Sequence, residues 1–440
     1  MTTSKVRFND ALADSVRFLN FSTEIAHYDP LIVRDVQGRI RIAIDKPKSE
    51  VSPSHIELLE TELSKLGAFS GGGPLFRNDF FEPDAIFQSP DIVELYDPEQ
   101  VKPVRVLDRQ ITGQDWLRPQ GVDVEESPHP PRLVFYGLKG GVGRSTALTM
   151  LAYDFARSGK RVLLLDLDLE SPGLSSLLLP PERLVEFGLV DWFVEDAVGQ
   201  GEEVLRQMIA SSPLSASTQG EIRIAAAMGA NEIAYVPKLS RVYADIAKAG
   251  SSERFSHRVK RLVEALEAQE KPDVVLIDSR AGLHDLAAVS IVGLSTHTFF
   301  FATDTAQSWE GYRLLFTHWQ AHPFVLRSVR DRLMMVQALF PEEDQEARAD
   351  RFLDKAYTLF SDTMYEPVEP TEPNEPQDQN VFNFDMNDTA APHYPLRIKW
   401  NKRFQEFDLL LLEKGILTEG EISASYGEFL DGARRLVAGD

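Results

Sequence analysis

The run Leu133-Val-Phe-Tyr-Gly-Leu-Lys-Gly-Gly-Val-Gly-Arg-Ser-Thr restricts the possible folds more than any other stretch of this sequence. It leads from an apolar, β-favouring segment through a glycine-rich turn into Ala147-Leu-Thr-Met-Leu-Ala-Tyr-Asp-Phe-Ala-Arg-Ser-Gly, a helical pattern ending near Gly159. A buried strand that enters such a turn and opens a helix is the setting of a phosphate-binding loop. Glycines let successive N–H groups curl inward, and the helix N-terminus adds positive potential. An anion of phosphate size belongs there.

From Arg132 onward, short apolar runs alternate with helical patterns: Leu133-Val-Phe-Tyr, Val162-Leu-Leu-Leu, Val274-Val-Leu-Ile, Thr298-Phe-Phe-Phe-Ala and Leu333-Met-Met-Val. Each run is too apolar on both faces for a half-exposed strand. The expected fold class is therefore α/β, a mainly parallel sheet with helices on both faces. Two aspartates end the run Val162-Leu-Leu-Leu-Asp-Leu-Asp. At i and i+2 on one strand, Asp166 and Asp168 point to the same side, toward the crevice where α/β sheets place ligands. A further apolar strand ends in Asp278 and is followed by Ser279-Arg-Ala-Gly.

The chain before this region reads as a small α+β domain, residues 1–118, with a docking or sensing role. Leu31-Ile-Val-Arg-Asp-Val and Arg39-Ile-Arg-Ile-Ala-Ile flank Gln37-Gly38 as a hairpin, and Ile40, Ile42 and Ile44 share one face. Ser52 as N-cap, Pro53 at the first position and Gly67 beyond the end delimit a helix. Residues 119–131 carry four prolines and three acids and read as an extended linker. The remainder, 132–440, is expected to form one domain with an acidic, proline-rich insertion near 362–391. Residues 341–390 hold 14 acids, a local net charge of −11 and half of the chain's −22.

Composition removes several function classes. The chain has no cysteine, which excludes disulfides, thiolate metal sites and iron-sulfur clusters. Histidines do not repeat at metal-ligand spacing, and no nucleophile, base and orienting group are legible together; His284 reads as structural. The start lacks a secretory apolar stretch and no run is long enough for a transmembrane segment, so a cytoplasmic protein is expected. Net negative charge disfavours nonspecific DNA. The densest basic cluster, His257-Arg-Val-Lys-Arg, reads as a solvated helix face.

The loop departs from G-x-x-x-x-G-K-[ST] at two places: Leu138 takes the first glycine position and Arg144 the lysine position. With Lys139 ahead of Gly140-Gly141, it resembles the deviant Walker A loop of the ParA/MinD family of P-loop ATPases, in a Lys-Gly-Gly-Val-Gly-Arg variant. The resemblance covers about 132–340 and 394–412. It implies ATP and Mg2+ as cofactors, held by Lys139, Gly140, Gly141, Val142, Gly143, Arg144, Ser145 and Thr146. By the same resemblance Ser145, Asp166 and Asp278 serve the metal, and Lys139, Arg144 and Asp168 serve catalysis, Asp168 by orienting water. Gln337 stands where family members carry a base-reading residue.

That resemblance also implies a homodimer through an ATP sandwich, completed by Lys139 across a two-fold axis. The leading expectation is a dimerisation-switch ATPase, slowed by Arg144, that regulates a protein partner or effector. Variants with this loop resemble ATPases of bacterial conflict and antiviral defence systems. Two other readings stay open: a non-catalytic ATP-binding scaffold, and a cargo-positioning ATPase on DNA or membrane.

Overall fold

The computed structural model describes residues 5–95, 103–119, 129–230, 234–248, 251–341, 343–367, 381–404, 412 and 417–438. Most of the expected linker and the centre of the acidic insertion lie outside these residues. The chain divides into two compact units, Met1–Gln114 and Asp115–Asp440. The division falls before residue 118 because Trp116 belongs to the second core. Its ring lies 6.2 Å from Tyr136 and 5.9 Å from Trp319, and its carbonyl accepts from the Trp319 indole N–H at 3.1 Å.

The first unit is a small α+β layer. Its strands β1 (Leu31–Arg34), β2 (Ile40–Ile44), β3 (Leu75–Phe76), β4 (Ile92–Leu95) and β5 (Val104–Asp108) are ordered β3-β2-β1-β5-β4. The hairpin closes on Gly38 at φ +82°, with the Asp35 carboxylate accepting from the Gln37 and Arg39 N–H groups. Helix Pro53–Lys65 begins and ends where expected, with Gly67 at φ +58°. Ser52 is not a side-chain cap, however: its hydroxyl pairs with that of Ser54 at 2.9 Å.

The second unit is built on strands β6 (Arg132–Gly137), β7 (Arg161–Leu167), β8 (Ile209–Ser211), β9 (Glu221–Ala225), β10 (Ile246–Lys248), β11 (Ser251–Glu253), β12 (Val274–Ser279), β13 (His297–Ala302), β14 (Leu333–Phe340) and β15 (Leu396–Lys399). Strands β10 and β11 pair as a separate hairpin. The other eight form one sheet in the order β15-β14-β13-β6-β12-β7-β9-β8, parallel except for the edge strand β8.

Side chains alternate across this sheet into two cores, as the pleat requires. Leu133, Phe135, Leu164, Leu276, Phe299 and Phe301 face one side, under helices Arg144–Arg157 and Glu419–Ala438. Val134, Tyr136, Leu165, Ile277 and Phe300 face the other, under Phe255–Glu270, Ala306–Gln320 and Gln345–Thr363. The C-terminal helix is pinned by Phe429, whose ring lies 5.1 Å from Phe299 and 6.1 Å from both Phe135 and Phe301. Burying one such ring contributes about 2–3 kcal/mol. On either side of the undescribed part of the insertion, the Glu366 N–H donates to Phe382 O at 3.0 Å and the Asn383 amide to Glu366 O at 2.7 Å.

The basic cluster is corrected by the fold. Arg258 is not solvated. It is fully buried, with Nε 3.1 Å from Asp196 Oδ2 and its Nη groups on the carbonyls of Val242, Ala244 and Phe193. Arg261 pairs with Asp196 and Glu253, and Lys260 with Glu264. Each of these three cations thus has an acidic partner.

Candidate nucleotide site

The C-terminal ends of the central parallel strands β6, β12 and β7 gather the charged residues expected from the sequence. Strand β6 runs into Gly137, and the loop 138–143 climbs to helix Arg144–Arg157 with Gly143 as its N-cap at φ +81°. Gly141 is likewise left-handed, at φ +74°, which explains a glycine there. Gly140 has no such backbone requirement. A β-carbon on it would meet nothing within 4 Å, so no atom of the described residues accounts for the missing side chain. Val142 is buried, while Lys139 is half-buried and forms no ion pair with a described residue.

Arg144 opens the helix and turns back over the strand ends. Its Nη2 donates to Asp168 Oδ2 at 3.0 Å, and its Nε lies 3.4 Å from Asp278 Oδ1, an ion pair too poorly aligned for a hydrogen bond. Its Nη1 is buried without a hydrogen-bond partner among the described residues. The next residue, Ser145, donates its hydroxyl to Asp278 Oδ2 at 2.5 Å. Thr146 follows, half-buried, with no part in this carboxylate cluster.

Asp166 and Asp278 are register partners on β7 and β12 and both are buried. Asp166 accepts from the N–H groups of Leu174 at 3.1 Å and Asp168 at 3.3 Å. Burial, and then the charge of Asp278, hold the Asp166 carboxyl well above its usual range despite those two donors. Burial also raises Asp278 and Asp168, and Arg144 is the largest opposing influence on both. One guanidinium thus faces two of the three carboxyls.

The turn after β12 is fastened to the loop strand. The Gly282 N–H donates to Gly137 O and the Tyr136 hydroxyl to Gly282 O, both at 3.1 Å. It is also fastened to the segment after β7. Glu170 Oε1 pairs with Arg280, accepts from the Tyr243 hydroxyl and lies 3.9 Å from His284 Nε2, while its Oε2 is buried without a partner. His284 Nδ1 accepts from the Leu286 N–H at 3.3 Å, a structural helix-capping role.

Gln337 lies on β14, beside Ala302 of β13, and is buried with its Oε1 unpartnered. The strand bulges after it, leaving Leu339 at φ +52°. A β-carbon on Gly143 would meet Leu339 Cδ2 at 3.6 Å, so this strand end approaches the loop. Sequence reasoning missed Leu339, Glu170 and Arg280. Only the i+2 spacing of Glu170 from Asp168 and of Arg280 from Asp278 could have flagged the last two.

A strand–loop–helix unit with a hydroxyl and strand-end carboxylates on a parallel sheet is the arrangement of a P-loop fold. Residues 133–292 match the CobQ/CobB/MinD/ParA nucleotide binding domain family, and the second unit carries a ParA/MinD-like P-loop domain. Similar solved structures include a ParA family ATPase from Chlorobium tepidum TLS, at 14% identity and TM-score 0.41, covering 68% of this chain and 98% of that one. Another is cobyrinic acid a,c-diamide synthase from Mycobacterium smegmatis with bound ATP analog and magnesium, at 18% identity and TM-score 0.37, covering 56% and 86%. A plasmid partition protein from Borrelia burgdorferi shares 15% identity at TM-score 0.32, covering 51% and 86%. No curated protein matches the chain. Among the described residues, no helix is long and apolar enough to cross a membrane.

Proposed function

We propose that the second unit binds ATP with Mg2+ and acts as a slowly hydrolysing dimerisation switch that regulates a partner. The observation that carries this reading is the open stretch at Gly140, with no internal reason for glycine, directly before Arg144 and Ser145 on the strand-end carboxylates. The main-chain amides of 140–146 would hold the phosphates, and Gln337 the base. Adenine in preference to guanine rests on the resemblance alone.

The donor set fits a hard dication. Hydroxyl and carboxylate oxygens are its preferred ligands. Among the described residues no group of three or more acidic or histidine side chains is arranged to hold a metal alone, so the phosphates would supply the remaining ligands. Ser145 would be the direct protein ligand, with Asp166 and Asp278 accepting from its waters. When bound, the metal supplies charge neutralisation on the phosphates. Asp168 would orient the attacking water, and Lys139, without an ion pair in the described chain, would reach the partner's phosphates.

Light scattering on the full chain tests the switch. Asp168→Ala is expected to retain ATP and stay dimeric, and Lys139→Ala to bind ATP and stay monomeric. An oligomeric state indifferent to ATP in both wild type and Asp168→Ala would reject it. A second reading, a non-catalytic ATP-binding scaffold, is favoured by the hold of Arg144 on Asp168, which keeps that carboxylate from orienting water. Single-turnover hydrolysis of labelled ATP separates the two. Equal rates for wild type and Arg144→Lys would remove any rate-setting role for the arginine.

A further inference from the structure

Arg144 is committed twice over. Its fork spans two strands, with Nη2 on Asp168 after β7 and Nε beside Asp278 at the end of β12. The donor group still free, Nη1, is sealed from solvent. An incoming phosphate therefore cannot reach that free donor while the side chain stays where it is. To touch a ligand seated over Gly140 and Gly141, the guanidinium has to move and release its carboxylates. Such a fork binds carboxylate and phosphate oxygens by the same bidentate geometry, so the two compete for it directly.

We propose that Arg144 is a cation shared in turn between Asp168 with Asp278 and the phosphates of a bound nucleotide, so that Asp168 opposes nucleotide binding until it is released. This rests on the nucleotide reading above and adds its regulation. A carboxylate tied to Arg144 is not free to orient water; the nucleotide itself frees it. Asp168 is therefore both the brake on loading and the group released by it. A state that binds only after breaking an internal contact has its affinity lowered by the stability of that contact.

The test is equilibrium binding of ATP to the full chain by calorimetry, in EDTA and again with Mg2+, so that hydrolysis is not the readout. Asp168→Asn removes the competitor and is expected to tighten ATP about tenfold, a change of about 1.4 kcal/mol. Glu170→Gln removes a nearby negative charge that does not touch Arg144, and is expected to change affinity less than about twofold. In an Arg144→Gln background the gain from Asp168→Asn should vanish, because nothing is left to be shared. Should Arg144→Gln not fold, Arg144→Lys replaces it. A single ammonium cannot span both carboxylates, and the gain should drop below about threefold. A gain that persists without Arg144 would make Asp168 a mere source of repulsion and overturn the proposal, as would unchanged or weaker binding by Asp168→Asn. Failure of every protein, wild type included, to bind ATP would overturn the nucleotide reading itself.

Discussion

Leu138 rests in a notch left by Gly311: a β-carbon on that glycine would come within 2.7 Å of the leucine Cδ1. Gly311 lies inside helix Ala306–Gln320, where glycine costs about 1 kcal/mol relative to alanine. The departure of the loop from its usual first glycine is thus accommodated by a second departure on a helix remote in sequence. Gly311→Ala is expected to change stability by less than about 1 kcal/mol, since helix propensity offsets the contact and a leucine end can shift. It should nevertheless weaken ATP binding by moving the loop, and Leu138→Ala in the same chain should restore it. Melting curves and calorimetry read the two effects separately. Unchanged affinity in Gly311→Ala would show that the notch does not position the loop.

Gly140 makes the opposite test, of a position where the fold has no stake. With no atom within 4 Å of an added β-carbon and no left-handed backbone, Gly140→Ala should leave stability within about 0.5 kcal/mol or raise it slightly. ATP affinity should fall at least tenfold if phosphate oxygens approach that backbone. A variant as stable as wild type that binds ATP equally well would place the ligand elsewhere.

Much of this architecture was legible because buried parallel strands are apolar on both faces, and the runs beginning at Leu133, Val162, Val274, Thr298 and Leu333 all became neighbours in one sheet. Strand β9 was missed. Glu221-Ile-Arg-Ile-Ala alternates charge and isoleucine, a weaker signal than an unbroken run, and its Arg223 is partnered by Glu270, 47 residues away. Arg258 was misjudged for a related reason: its acceptors are Asp196 and three main-chain carbonyls, and carbonyls have no sequence signature. At the site, the motif residues on β7, β12 and the loop converge as their strand-end positions implied. The hold of Arg144 on Asp168, and of Arg280 on Glu170, depends on side-chain reach between loops that sequence spacing does not encode.

Arg258 and Lys260 lie two residues apart on one helix and should behave very differently. Arg258→Met leaves Asp196 short of one buried partner and three carbonyls without theirs, a loss expected at about 3–5 kcal/mol. Lys260→Ala removes only a 4.0 Å pair with Glu264 on the same helix and should change stability by less than about 0.5 kcal/mol. Urea denaturation of the two variants would measure the contrast. Equal, small effects would return Arg258 to the surface.

His393 should give the second unit an acid-sensitive stability. It is fully buried, paired through Nδ1 with the Tyr365 hydroxyl and through Nε2 with Met386 O at 3.0 Å. Both contacts suit the neutral ring, with Nε2–H donating to the carbonyl and Nδ1 accepting from the phenol. Burial holds its pKa below the ordinary 6.5, and His297 is lowered for the same reason. The unfolded chain therefore binds these protons first. Stability is complete above about pH 6.5 and falls as pH drops toward the folded pKa, by at most about 1.4 kcal/mol per pH unit for each histidine. His393→Gln can keep a donor and an acceptor but cannot titrate. It is expected to be less stable at pH 8 by about 1–3 kcal/mol, yet to lose less between pH 7 and pH 5 than wild type does. Urea midpoints for both proteins across that range decide the matter, and parallel slopes would mean that His393 does not carry the proton linkage.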